Sequence, residues 1–149
     1  MRLPSRSRVL IVASQTAESP ELVRAVADRA DRGPCTFTLL VPSTPRALHS
    51  VRESRSDGHG EAEARLEAAI PILSEAAGAP IVGVLGASEP LRAVQDALTL
   101  LGFDEVILSM LPVPRSRWFR LDLPEQVRAL GVAVSEVVCA ERQFDGTAA

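Results

Sequence analysis

Three arginines lie close together in a short stretch that follows an apolar run. Arg115, Arg117 and Arg120 fall within six residues, together with one serine and two of the chain's five aromatic residues. Guanidinium groups hold phosphate or carboxylate through paired hydrogen bonds. Of the residue clusters in the sequence, this one has the most specific binding chemistry. The pattern has two interpretations: an exposed loop with solvated arginines paired with Asp122 and Glu125, or an anion-binding loop.

The rest of the sequence offers little for catalysis or metal binding. It contains no Gly-x-Ser-x-Gly motif and no glycine-rich phosphate loop. All sixteen basic residues are arginine, which excludes a Schiff-base lysine and a phosphate-loop lysine. His49 and His59 lack the spacing of a metal site, and Asp104 and Glu105 are interpreted as solvating a turn. We therefore expect no catalytic residue, no metal site and no enzymatic activity.

Composition restricts the class of protein. The chain has 149 residues, 46% of them hydrophobic and 23% charged, which suits one domain over residues 1–149. A formal net charge of −3 argues against a broad nucleic-acid interface, and no apolar run approaches the ~20 residues of a membrane span. Cys35 and Cys139 are interpreted as buried thiols in a reducing compartment. We expect a cytoplasmic protein.

Apolar runs and helix signals alternate along the chain. Strands are predicted over residues 9–13, 37–41, 81–85, 105–109 and 132–139. Ser19 and Pro20 predict the start of the first helix, and a second helical pattern runs from Glu61. Ser88 and Asp122 are predicted caps of the helices after the third and fourth strands.

Two segments lack a pattern that would bury them. Residues 44–60 are rich in Arg, Ser, His, Asp and Gly without an apolar period, and they predict a mobile surface loop. Residues 141–149 predict a frayed tail. The expected core therefore spans about residues 8–140.

The alternation of strands and helices predicts an α/β fold. We expect one domain with a parallel five-stranded sheet in the order 3-2-1-4-5 and helices on both faces. In such sheets a ligand binds beyond the carboxyl ends of the strands, where the strand order reverses. The turns after Ala13 and Ser109 should face each other there.

The order of these elements resembles the universal stress protein (UspA-like) domain, within the adenine nucleotide alpha hydrolase-like folds. The resemblance rests on the opening strand, the loop after strand two, the Gly86 turn, Asp-Glu-Val-Ile-Leu-Ser at 104–109 and Gly-Val-Ala-Val at 131–134. It implies a small-ligand module without catalysis, with ATP or AMP as the ligand. Ala13 and Ser14 stand where nucleotide-binding members carry aspartate. No glycine occurs between Gly102 and Gly131, where those members have a glycine loop.

The candidate ligand-binding residues lie at strand ends and in the basic loop. They are Ala13, Ser14, Val41, Gly86, Ser109, Arg115, Ser116 and Arg117.

The last strand is the expected interface between two copies of the chain. It is apolar from Val132 to Val138 except for Ser135 and Glu136, which favour an edge position, and it lacks the lysines or prolines that protect sheet edges. The resemblance implies pairing through this strand. A homodimeric scaffold with a degenerate ligand site is therefore the alternative function.

Overall fold

A computed structural model describes residues 7–43, 58–112 and 122–140. The strands in these ranges are β1 (Ser7–Val12), β2 (Cys35–Pro42), β3 (Val82–Gly86), β4 (Glu105–Met110) and β5 (Ala133–Val138). The helices are α1 (Pro20–Asp31), α2 (Gly58–Ala77), α3 (Pro90–Leu100) and α4 (Leu123–Arg128). The arginine cluster, residues 44–57 and the tail at 141–149 lie outside the described residues.

The five strands form one parallel sheet in the order β3-β2-β1-β4-β5. This confirms the predicted α/β fold and its strand order. β1 lies at the centre and pairs with β2 on one side and β4 on the other. The order reverses between β1 and β4, so the crevice predicted from the sequence lies beyond the ends of these two strands.

Both faces of the sheet are buried by helices. Side chains that alternate along each strand enter two separate cores. One core joins Val9, Ile11 and Ile107 to α1 and α2, and the other joins Leu10 and Val106 to α3 and α4. Burial of each aliphatic side chain of this kind stabilises the fold by roughly 1.5–3 kcal/mol. Continuous apolar runs, rather than alternating ones, are therefore what these central strands require.

The start of α1 follows the predicted pattern, and the starts of α3 and α4 do not. Ser19 Oγ accepts a hydrogen bond from Leu22 N at 3.2 Å. The cap of α3 is Glu89, not Ser88, and its side chain makes no capping bond. Asp122 precedes α4 with φ 56° and ψ 35°, and it too makes no capping bond. A capping side chain needs an extended backbone at its own residue, so a left-handed Asp122 cannot reach the first turn.

α2 begins earlier than the sequence predicts. It starts at Gly58, so residues 58–60 belong to the helix and not to the predicted mobile loop. The helix continues through Pro71, which is exposed, and ends at Ala77. The rest of the predicted loop, residues 44–57, lies outside the described residues.

A buried ion pair attaches α1 to the beginning of β4. Arg29 donates from Nε and Nη2 to the Glu105 carboxylate at 2.9 and 2.7 Å. Arg29 is only 8% exposed, and its bond to Glu105 raises its pKa although burial acts in the opposite direction. The expectation that Asp104 and Glu105 only solvate a turn is wrong. Asp104 Oδ2 accepts from Arg8 N at 2.8 Å, and Glu105 compensates a buried charge.

Candidate functional site

The candidate site is the crevice beyond the carboxyl ends of β1 and β4. The chain leaves β1 at Ala13, passes through a polar turn and enters α1 on one face of the sheet. After β4 it continues towards α4 on the other face. In open α/β sheets, segments that diverge to opposite faces in this way frame the usual ligand crevice.

A buried hydrogen bond joins the two sides of the crevice. Thr16 Oγ1 lies 3.1 Å from the carbonyl oxygen of Ser109 and 2.6 Å from its hydroxyl oxygen. Thr16 is 5% exposed and Ser109 is 1% exposed. The bond spans 93 positions in the sequence and fixes the turn after β1 against the end of β4. The predicted approach of these two segments is thereby observed.

The bond belongs to a longer chain of hydroxyl and thiol groups. Cys139, just after β5, places Sγ 3.3 Å from Ser109 Oγ and 3.0 Å from Ser19 Oγ. Each hydroxyl or thiol carries one proton, and Thr16 donates its proton to the Ser109 carbonyl. The consistent order of donation is therefore Ser19 to Cys139, Cys139 to Ser109, and Ser109 to Thr16. In this arrangement every proton has an acceptor.

The sequence predicted two buried cysteines, and the structure buries one of them. Cys139 is 1% exposed, whereas Cys35 at the start of β2 is half-buried. Ala140, the residue after Cys139, donates its backbone N–H to Glu21 Oε2 at 3.1 Å. The end of β5 is thus attached to the first turn of α1 by two neighbouring residues.

Ala13 and Val41 contribute no polar side chain to the crevice. Both are fully buried and belong to the core beneath α1 and α2. The backbone N–H of Ala13 is also occupied, because it donates to Leu40 O at 3.2 Å. Ser14 is half-buried, and its carbonyl accepts from Ala17 N. Among these three predicted residues, only Ser14 has a hydroxyl to offer.

Gly86 is the last residue of β3, at the same carboxyl end of the sheet. Its carbonyl accepts from both N and Oγ of Ser43, at 3.0 and 2.9 Å, which joins the ends of β2 and β3. A Cβ at Gly86 would lie 2.7 Å from Ala93 Cβ and 2.7 Å from Leu40 Cδ1. Gly86 is therefore required for close packing of β3 against α3, and its carbonyl is already used.

Arg115, Ser116 and Arg117 lie outside the described residues, so their distance to the crevice stays a prediction. The described part of the crevice carries hydroxyls and backbone groups, with no aspartate at the end of β1. The hydroxyls of Thr16, Ser109 and Ser43 already make hydrogen bonds within the fold, and none of these groups brings positive charge. The described residues also contain no cluster of three metal-ligating side chains.

Sequence reasoning missed Thr16, Ser43 and Cys139 as crevice residues. The density of serine and threonine just after β1 is the available signal for Thr16. Nothing in the sequence connects Cys139 with Ser19, because the two are 120 positions apart. The described helices include none long and apolar enough to cross a membrane.

The fold is that of an open, doubly wound α/β domain with a buried Thr16–Ser109 hydrogen bond at its switch point. No family model and no curated protein sequence matches the chain. Solved structures do match, and they show a UspA-like fold.

Three of these structures are universal stress proteins. One, in complex with cAMP, has a TM-score of 0.56 at 16% identity and covers 90% of this chain and 97% of its own. The protein from Archaeoglobus fulgidus has a TM-score of 0.59 at 13% identity, covering 89% and 93%. A family protein from Arabidopsis thaliana with AMP bound has a TM-score of 0.54 at 10% identity, covering 95% and 96%.

Proposed function

We propose that this protein is a UspA-like module that binds a small anionic ligand in the crevice, without catalysis of its own. The observation that carries the proposal is the reversal of strand order between β1 and β4, where Thr16 and Ser109 join the two sides. Two structures of the same fold contain cAMP or AMP. An adenine nucleotide, ATP or AMP, is therefore the first ligand to test.

The positive charge for such a ligand has to come from the basic loop. The described crevice residues supply neutral hydroxyls, and the chain has no lysine. Arg115 and Arg117 follow the end of β4 most closely and flank Ser116. We propose that these three residues replace the glycine loop of nucleotide-binding universal stress proteins.

The absence of catalysis is proposed from the chemistry of the described crevice residues. A nucleophilic serine needs a neighbouring general base. The nearest partners of the Ser109 hydroxyl are the Thr16 hydroxyl and the Cys139 thiol, and neither serves as a base in this chain of hydrogen bonds.

The experiment is a thermal-shift and calorimetric titration of the purified protein with ATP, AMP, cAMP and sulfate. We expect saturable stabilisation by at least one nucleotide. Arg115→Ala with Arg117→Ala should weaken that binding at least tenfold, since each charge-assisted hydrogen bond contributes roughly 1.5–3 kcal/mol. Arg92→Ala, which removes an exposed arginine of α3, is the control. No stabilisation of the wild type by any ligand would overturn the proposal.

A homodimeric scaffold is the second candidate, and the outer edge of β5 favours it. Among the described residues no strand pairs with that edge. Ala133, Ser135 and Val138 are exposed along it. A symmetric dimer would pair the two edges and remove their open hydrogen-bonding groups from water. Light scattering at tens of micromolar distinguishes dimer from monomer, and a strict monomer would count against this candidate.

A further inference from the structure

A second opening lies away from the crevice, between α1 and the β4–β5 side of the sheet. It is a half-open groove of about 420 Å³. This volume lies within the usual range for small-molecule sites. It is lined by Ala25, Asp28, Arg29, Arg32, Glu105, Ile107, Ser135 and Val137.

The α1 wall of the groove is one helical face. Ala25, Asp28, Arg29 and Arg32 follow the i, i+3, i+4, i+7 spacing, so their side chains share that face. An apolar stripe of this spacing normally covers a core, whereas three of these four residues are charged. Here it borders the groove, because β5 lies at the sheet edge and its Ser135 is exposed.

The groove has four charged residues, of which two form an ion pair and two have no ion-pair partner among the described residues. Arg29 and Glu105 compensate each other through a bidentate ion pair. Asp28 and Arg32 are exposed, and neither has an ion-pair partner among the described residues. They lie one helical turn apart and carry opposite charges.

Arg32 and Asp28 are suited to bind ligand groups of opposite charge. The Nη1 group of Arg29 makes no hydrogen bond to a described residue, because Glu105 engages only Nε and Nη2. The guanidinium groups of Arg29 and Arg32 and the Ser135 hydroxyl are donors suited to a carboxylate. The Asp28 carboxylate is exposed and is suited to hold an ammonium group.

We propose that this groove binds a small zwitterion, a free α-amino acid with an apolar side chain. Its carboxylate contacts Arg32 and Arg29, its ammonium group contacts Asp28, and its side chain packs on Ile107 and Val137. A zwitterion compensates the charges of both Asp28 and Arg32. A phosphate-like dianion would leave Asp28 uncompensated, and a simple cation would leave Arg32 uncompensated.

The test is a titration of the isotope-labelled protein followed by amide chemical shifts. L-leucine should produce saturable shifts in α1 and β5, with a dissociation constant on the order of 1 mM for so small a ligand. 4-Methylpentanoate lacks the ammonium group and isoamylamine lacks the carboxylate, so each should bind at least fivefold more weakly. Shifts that do not saturate, or equal binding of all three, would overturn the proposal.

Variants on the same helix provide the matched comparison. Asp28→Asn and Arg32→Gln should each weaken leucine binding at least fivefold without a change in melting temperature, because both side chains are exposed. Arg24→Gln removes an exposed charge of α1 that does not line the groove, and it should bind like the wild type. An Arg24→Gln effect as large as that of Arg32→Gln would show non-specific attraction and would refute the site. Nucleotide binding in the crevice is independent of these changes.

Discussion

Thr16 Oγ1 and Ser109 Oγ lie 2.6 Å apart and hold the turn after β1 against the end of β4. The hydroxyl of Thr16 also donates to the carbonyl oxygen of Ser109. The next carbonyl, that of Met110, instead accepts from the backbone N–H of Cys139. The contact therefore satisfies a buried backbone group at the switch point and sets the geometry of the crevice.

Removal of the Thr16 hydroxyl should destabilise the protein. Thr16→Val keeps the shape but leaves the buried Ser109 carbonyl without its donor, at a cost of roughly 1–3 kcal/mol. Thr16→Ser keeps the hydroxyl and should recover most of this stability. Urea unfolding measures both, with exposed Thr36→Val as the control. A Thr16→Val protein as stable as the wild type would mean that the contact contributes nothing.

The Arg29–Glu105 pair should matter far more than an exposed pair. Arg29→Gln leaves the partly exposed Glu105 carboxylate without its charged partner and should cost roughly 1.5–3 kcal/mol in unfolding free energy. Arg92 and Asp96 are exposed and 3.9 Å apart, so Arg92→Gln should change stability by less than ~0.5 kcal/mol. Chemical denaturation of both variants gives the comparison. Similar effects would argue that the buried pair is screened by water.

Asp122 adopts a backbone conformation that glycine tolerates better. Its φ of 56° is the one positive value among described non-glycine residues. Asp122→Gly should raise the unfolding free energy by about 1 kcal/mol, because it removes the left-handed strain. Asp122→Asn separates charge from conformation, since asparagine also tolerates this region. Equal stabilisation by both variants would assign the effect to charge.

Gly86 and Gly83 both lie on β3 but should respond differently to a methyl group. Gly86→Ala brings Cβ against the backbone-proximal Cβ of Ala93 on α3, and we expect a loss of about 1–3 kcal/mol. At Gly83 the nearest atoms, 2.6 and 2.9 Å away, are the terminal methyl groups of Ile70 and Leu66, which can move. Gly83→Ala should therefore cost less. Thermal unfolding ranks the two, and the reverse order would contradict the packing described for β3 and α3.

A charge on the outer part of β5 should separate a dimer without unfolding the monomer. Val138 is 47% exposed, whereas Val134 is half-buried against the core beneath α3 and α4. Val138→Lys should therefore shift the mass in light scattering towards the monomer and leave far-ultraviolet circular dichroism unchanged. Leu100→Lys, at an exposed residue away from β5, is the control. A dimer that tolerates Val138→Lys must use another surface.

The sequence predicts the fold better than the site because the two depend on different signals. β1 and β4 are central strands buried on both faces, and this environment requires runs such as the one at 9–13. The helix start at Ser19 has a local signature as well. In contrast, Thr16 meets Ser109 and Arg29 meets Glu105 across 93 and 76 positions, and no local pattern encodes those pairs. At Asp122 the local sequence predicts a helix cap, but the left-handed backbone of this residue prevents the capping hydrogen bond.

The central position of β1 has a consequence for biosynthesis. Its partners are β2, which follows soon after, and β4, which begins at Glu105. While the chain emerges from the ribosome, one edge of this apolar central strand stays open until the residues up to Met110 have been made. Closing such a long-range parallel pair is slow, and an open apolar edge promotes association with other chains. The nascent protein therefore needs protection from self-association until β4 has been synthesised.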